Sequence, residues 1–213
     1  MSKKAIVVHS GGMDSSLCLA LAIREFGPQS VLSLTFDYNQ RHKTEITQAA
    51  KICQTWLVDH KIVALPTIQH ITENSLINST TLIANNNTLV VGRNGLMARL
   101  AAIQASSLGA HIIYMGVMGL ETSYRDCSRA YMDLKQQILR IDLDDPMFEI
   151  RTPLVDMTKK ETMALGHRLG VLDFLLEHTI TCYNGLPREG CQTCAACKLR
   201  NNGLKEFLDE SSM

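Results

Sequence analysis

No apolar run in this chain approaches the roughly 20 residues that a membrane-spanning helix needs, so no membrane partner is expected. Net charge is missing as well, because 21 acidic residues balance 21 basic ones. A protein that holds nucleic acid stably carries a basic patch or stripe, and a neutral chain is not expected to be one. No Pro- or Ser-rich linker divides the 213 residues and no internal repeat is visible, which predicts a single domain over 1–213. A fused glutaminase, which would need a second domain of about 150 residues, is therefore not expected. The opening Met1-Ser2-Lys3-Lys4 has no apolar signal segment, so a cytoplasmic, reducing setting is expected and disulfides are a weak reading of the seven cysteines.

What is present begins with a strand-to-loop junction. The apolar run Ala5-Ile6-Val7-Val8 is followed by Ser10-Gly11-Gly12-Met13-Asp14-Ser15. Adjacent glycines let a backbone turn tightly and bring its N–H groups to an anion, and Ser10, Ser15 and Ser16 add hydroxyl donors. Ser16 to Phe26 reads as a helix with Leu17, Ala20, Leu21 and Ile23 on one face, so an anion in the loop would meet a helix N-terminus. No lysine follows the glycines, which excludes a Walker-type phosphate loop. A plain glycine turn is the bland alternative.

The second signal is Cys191-x-x-Cys194-x-x-Cys197 with Cys182 upstream. Four closely spaced sulfurs match a tetrahedral Cys₄ zinc site, and the nearby cations Arg188, Lys198 and Arg200 favour thiolates. Short cysteine spacings also suit an iron–sulfur cluster, and the sequence does not separate the two metals.

Between these motifs, Val31–Phe36, Lys61–Leu65 and His111–Met115 read as strands, and Lys43–Leu57 and Leu96–Leu108 as helices. Ile46, Ala49, Ala50 and Ile52 point inward on the first of those helices. The alternation predicts an α/β fold, a mostly parallel sheet with helices on both faces and ligands at the strand C-terminal edge. Thr158-Lys159-Lys160-Glu161 is a capping box opening a helix to about Leu169, with Gly170 placed to end it. Pro66–Asn87, rich in Thr and Asn, reads as a surface excursion over the site.

Ser10-Gly11-Gly12-Met13-Asp14-Ser15 at the end of a first strand resembles the PP-loop of the N-type ATP pyrophosphatases, adenine nucleotide alpha hydrolase-like enzymes that cleave ATP between its α and β phosphates. Further segments occur in the same order as in the 7-cyano-7-deazaguanine synthase family. They are Phe36-Asp37-Tyr38-Asn39-Gln40-Arg41-His42, Gly92-Arg93-Asn94, Tyr124-Arg125-Asp126-Cys127, Thr152-Pro153-Leu154 with Lys159 and Glu161, and Thr181-Cys182-Tyr183-Asn184-Gly185 leading to the cysteines. The resemblance runs from Lys4 to about Leu208. It departs from the family pattern at Asn39, Val91, Arg125 and Ser128, and the Met118–Ser123 loop is one residue short.

The resemblance implies an enzyme of queuosine biosynthesis that adenylates 7-carboxy-7-deazaguanine with ATP, admits ammonia to give the amide, then activates the amide again and eliminates AMP to leave the nitrile. It implies ATP binding by His9, Ser10, Gly11, Gly12, Met13, Asp14, Ser15, Ser16, Leu17, Cys18 and Leu19. Asp14, Arg93 and Lys159 are the expected catalytic residues, and Arg93, Tyr124 and Asp126 the expected substrate contacts. Cys182, Cys191, Cys194 and Cys197 are expected to hold one structural Zn²⁺ per subunit within a C-terminal segment and helix, 178–213. Mg²⁺ is expected with ATP, and the implied assembly is a homodimer.

Plainer roles stand beside these. Asp14 can orient the loop, help place Mg²⁺, or serve as an acid at a helix N-terminus. Arg93 and Lys159 can be solvated surface charges. Asp126 can cap a helix beginning near Cys127. Cys18 and Cys53 fall on apolar helical faces as core thiols, His9 is expected to line the pocket through its backbone, and Cys127 has no adjacent base to make it a nucleophile. His42 reads equally as a phosphate partner, a base or a loop residue. Two rival functions remain: another PP-loop adenylating enzyme, such as a tRNA thiolase or amidating ligase, and a zinc-binding module without turnover.

Overall fold

Four aliphatic residues in a row suit a strand covered on both faces. They form β1 (Ala5–Val8), the centre of the sheet in the computed structural model, which describes residues 2–40, 43–71, 90–122 and 124–211. β2 (Val31–Asp37) and β3 (Asp59–Ala64) extend the sheet on one side, β4 (Ile112–Met115) and β5 (Glu149–Arg151) on the other. All neighbours are parallel, in the order β3-β2-β1-β4-β5. Ala5 lies opposite Val31 on one side and Ile112 on the other. The strand order reverses between β1 and β4, and the crevice outside such a reversal is where open α/β sheets take ligands.

Alternation along the strands splits the core into two layers. Ile6, Leu34 and Ile113 pack against α4 (Arg93–Ser107), whose Ala98, Ala101, Ala102 and Ala105 allow close approach, and against α5 (Arg129–Leu143). Ala5, Val7 and Tyr114 face the opposite layer, built from α1 (Met13–Phe26), α2 (Thr44–Thr55), α6 (Lys159–Arg168) and α7 (Leu172–His178). α3 (Ile68–Ile71) is a single turn, and α8 (Ala195–Ser211) packs on α6.

The expected strands are present within two residues of their predicted ends. α1 and α4 each begin three residues earlier than predicted, at Met13 and Arg93, so Asp14, Ser15 and Ser16 belong to a first helical turn. The backbone turns at Gly11 (φ 85°), and the Ser15 and Ser16 hydroxyls donate to the Gly12 carbonyl at 3.1 and 2.8 Å, which brings the helix start forward. In α2, Ile46, Ala49 and Ile52 are buried and Ala50 is half-buried. Both halves of the Thr158–Glu161 capping box form, and Gly170 follows α6 with φ 71°. Of the predicted excursion, residues 72–87 lie outside the described residues, as does His42.

β5 and α7 carry no sequence signal strong enough to announce them, while α5 is the helix expected to begin near Cys127. β5 is explained by its interactions, because α5 covers its outer edge. Gln136 Oε1 accepts from the Ile150 N–H at 2.6 Å, Arg129 donates to the Ile150 carbonyl at 3.0 Å, and Arg140 donates to the Phe148 carbonyl at 2.8 Å. An edge satisfied by side chains offers no template to a further strand.

Candidate active site and metal centre

The loop after β1 is shaped by a buried polar wedge. His9 is 1% exposed, and its ring nitrogens meet Ser33 Oγ on β2 at 2.9 Å and Ser16 Oγ on α1 at 3.0 Å. Burial, with His60 adding to it, pushes His9 down to about 3, so this imidazole is a neutral strut. Above it, Ser10 and Ser15 exchange a hydroxyl contact at 3.1 Å, and among the described residues no side chain caps the first turn of α1. Gly11 combines a positive φ with close packing, since a Cβ there would collide with the Glu45 carbonyl oxygen. The loop thus presents hydroxyls and a helix N-terminus to an anion.

A cavity of about 260 Å³ opens beside this loop at the C-terminal ends of β1 and β4. Ser10, Ser15, Tyr38, Glu45, Arg93, Asn94, Tyr124 and Tyr183 line it, with Met115 and Gly116 from the end of β4. Arg93 donates to the Tyr38 hydroxyl at 3.3 Å and lies over its ring. Asp126, 6% exposed, accepts the Asn94 backbone N–H at 3.0 Å. This corrects one expectation: the N-cap of α5 is Ser128, whose hydroxyl accepts from Tyr131 N–H, and Asp126 instead tethers the first turn of α4. Asn94 Nδ2 lies 3.3 Å from the Cys127 sulfur, whose thiol burial pushes up, away from the thiolate a nucleophile requires.

Lys159 is the most deeply buried cation near the loop, with its side chain 2% exposed, and its ammonium pairs with the Asp14 carboxylate. The C-terminal segment also braces the loop directly. The Ile180 N–H donates to the Gly11 carbonyl at 3.1 Å, and two residues later Cys182 enters the cysteine cluster while Tyr183 enters the cavity wall.

The four sulfurs of Cys182, Cys191, Cys194 and Cys197 lie within 4.8 Å of one another. A tetrahedron of bonds of about 2.3 Å has sulfur–sulfur edges of about 3.8 Å, so the cluster has the dimensions of a Cys₄ site. Its sulfurs accept hydrogen bonds as thiolate ligands do: Asn184 N–H to Cys182 at 3.3 Å, Cys194 N–H to Cys191 at 3.3 Å, and Thr193 Oγ1 to Cys191 at 3.3 Å. The Thr193 hydroxyl and these amides draw the Cys191 thiol down to about 5. These residues therefore fit a closed metal site. Of the cations expected to favour thiolates, Arg188 is paired with Glu177 at 2.5 Å instead.

A family model described as queuosine biosynthesis protein QueC matches residues 4–208. The chain belongs to the QueC family. It is accordingly an enzyme, an ATP-dependent PP-loop ligase of queuosine biosynthesis, and the reading as a binding module without turnover falls. Solved structures agree on the fold. NMN synthetase from Francisella tularensis aligns with TM-score 0.53 at 17% identity, over 98% of this chain and 78% of that one. The NH3-dependent NAD synthetase from Campylobacter jejuni subsp. jejuni NCTC 11168 aligns with TM-score 0.53 at 19% identity, over 82% and 67% respectively. A 4-thiouridine synthetase in complex with RNA and bound ATP aligns with TM-score 0.52 at 16% identity, over 98% of this chain and 53% of that one.

In this QueC-family chain the predicted residues divide by location. Ser10, Ser15, Arg93 and Tyr124 line the cavity together with His9. Asp14 and Lys159 meet at the loop, and the four cysteines meet one another. Met13, Leu17, Cys18 and Leu19 are buried in the apolar layer under the loop, where they hold α1 in place. Cys53 is a core thiol as expected, 3.7 Å from the His9 ring. Sequence reasoning gave no role to Glu45, Asn94 or Tyr183, which the fold delivers to the cavity. Glu45 had one available signal, an acid in the first turn of the helix that follows the Phe36–His42 segment. A larger, open hollow of about 960 Å³ lies beside β5 at the far end of α1 from the loop. Its Arg129 and Arg151 are paired with Asp133, Glu25 and Glu149.

Proposed function

We propose that this chain, as one domain over 1–213, converts 7-carboxy-7-deazaguanine and ammonia to 7-cyano-7-deazaguanine, using one ATP for each of two adenylations. The family match over residues 4–208 carries the reading. The loop at the strand-order reversal, opening onto a cavity of about 260 Å³, supports it. In each stage an oxygen of the substrate attacks the α phosphorus of ATP, pyrophosphate leaves, and a poor oxide leaving group becomes AMP. Both carboxylate oxygens depart on AMP.

Ser10, Gly11, Gly12 and Ser15 receive the departing pyrophosphate, helped by the N-terminus of α1, while the buried Ser16, expected to join them, shapes the loop from beneath through the Gly12 carbonyl. Lys159 stands ready to stabilise charge developing at the phosphates, and Asp14 keeps it at the loop. The Asp14 side chain is still 26% exposed and open to the Mg²⁺ that accompanies ATP. Arg93 stabilises the substrate carboxylate or the α phosphate, and Tyr124 and Asp126 form the substrate wall. Cys182, Cys191, Cys194 and Cys197 hold one structural Zn²⁺ per subunit, which supplies binding energy to the segment 178–213. The working form is a cytoplasmic homodimer, checked by light scattering of the eluted protein.

The deciding experiment incubates the protein with ATP, Mg²⁺, ammonium and 7-carboxy-7-deazaguanine and resolves products by liquid chromatography and mass spectrometry. Nitrile together with AMP is the expected result. AMP formed only with another acceptor would move the assignment to a different PP-loop reaction, such as tRNA thiolation or another amidation.

A further inference from the structure

Resting on that reading, the reaction must strip one nitrogen of all its hydrogens. Ammonia attacks the acyl adenylate carbon, the C–O bond to AMP breaks, and one N–H proton is lost as the amide forms. When the amide oxygen has displaced pyrophosphate from a second ATP, the remaining two N–H protons are lost and the second C–O bond to AMP breaks. Nothing is oxidised or reduced. Three protons require an acceptor beside the reacting carbon, and among the described residues the cavity wall contains a carboxylate suited to the task.

We propose that Glu45 is the general base for amidation and nitrile formation. Glu45 lines the cavity with Ser10, Ser15 and Arg93, and its main chain is pressed against Gly11 of the loop that receives pyrophosphate. Other titratable groups on this wall or behind it already have partners. Both His9 nitrogens are taken by Ser33 and Ser16, the Tyr38 hydroxyl accepts from Arg93, and Lys159 is bound to Asp14. The Asp126 carboxylate accepts the Asn94 N–H. Among the described residues no donor hydrogen-bonds to the Glu45 carboxylate; the charged group acting on it is Arg93 of α4. Tyr38, Tyr124 and Tyr183 complete the titratable groups of this wall. Burial raises Glu45 to about 7, against the opposing pull of Arg93, which suits a base cycling near neutrality.

Two measurements on the full chain separate this role from the substrate assignment. Pyrophosphate–ATP isotope exchange, dependent on 7-carboxy-7-deazaguanine and run without ammonia, reads adenylation alone. Single-turnover conversion of the amide to the nitrile reads proton removal. Glu45→Gln is expected to hold exchange within about threefold of wild type while nitrile formation falls by about 10²–10⁴-fold. Wild-type nitrile formation should rise with pH through a limb near 7, absent from Glu45→Gln and partly restored in Glu45→Asp. Unimpaired nitrile formation in Glu45→Gln, or equal losses in both measurements, would overturn the role. So would a wild-type profile with no limb near 7, whether or not the variants fold. Failure of the wild type to exchange at all would instead overturn the substrate assignment.

Discussion

Asp14→Asn and Lys159→Met break the same ion pair, yet the first should destabilise the fold far more than the second. The asymmetry comes from burial, because the Lys159 side chain is 2% exposed and that of Asp14 is 26% exposed. Asp14→Asn strands an ammonium that has no other acceptor among the described residues, and an unpaired buried charge costs about 3–5 kcal/mol whether it stays ionised or sheds its proton. Lys159→Met removes the charge and its desolvation together, keeps an unbranched chain of similar length, and leaves a carboxylate that water still reaches. Its expected cost is under about 1 kcal/mol, and a small gain is allowed. The double variant should resemble Lys159→Met, so the two single effects fail to add by about 3 kcal/mol. Urea unfolding at neutral pH measures all four proteins, and pyrophosphate–ATP exchange should fall in every variant. If Asp14→Asn unfolds within about 1 kcal/mol of wild type, or Lys159→Met is the more damaging change, the burial argument is wrong.

Three further outcomes follow from packing, metal and charge. Gly203→Ala places a Cβ 2.7 Å from Lys159 Cβ and Cγ, so it should cost about 1–3 kcal/mol in thermal unfolding; an unshifted midpoint would mean that α8 slides freely on α6. Cys194→Ser should lower bound metal and the unfolding midpoint, with wild type following when chelator is added; lost activity at an unchanged midpoint would point to a catalytic metal. Glu45 has a folded value near 7 above its ordinary 4.5, so stability is full below 4.5 and is lost as pH rises through 7. Glu45→Gln should therefore gain on wild type by up to about 3 kcal/mol between acidic and mildly alkaline pH, and a difference that does not change with pH would refute the shift.

The elements that could be read from sequence are those whose information is local. A run of four aliphatic residues made β1, a capping box made the start of α6, and two glycines among serines made the loop. Cysteine spacing likewise announced the sulfur cluster, since Cys191, Cys194 and Cys197 lie within seven residues and only Cys182 comes from outside that run. β5 was not legible, because three residues carry too little periodicity and its edge is satisfied by side chains of α5.

The candidate site was half legible for the same reason. The members of a site that lie in one continuous stretch, the glycine–serine loop and the clustered cysteines, were legible from residue type and spacing alone. Partnership was decided only by the tertiary structure. Asp14 and Lys159, 145 residues apart, meet because α6 packs against the layer that holds α1. Asp126 serves α4 rather than α5, and Glu45 becomes a cavity group because Gly11 lets α2 approach the loop. Burial and the distance between chain-distant groups set charge state and reactivity, and both quantities exist only once the chain has folded.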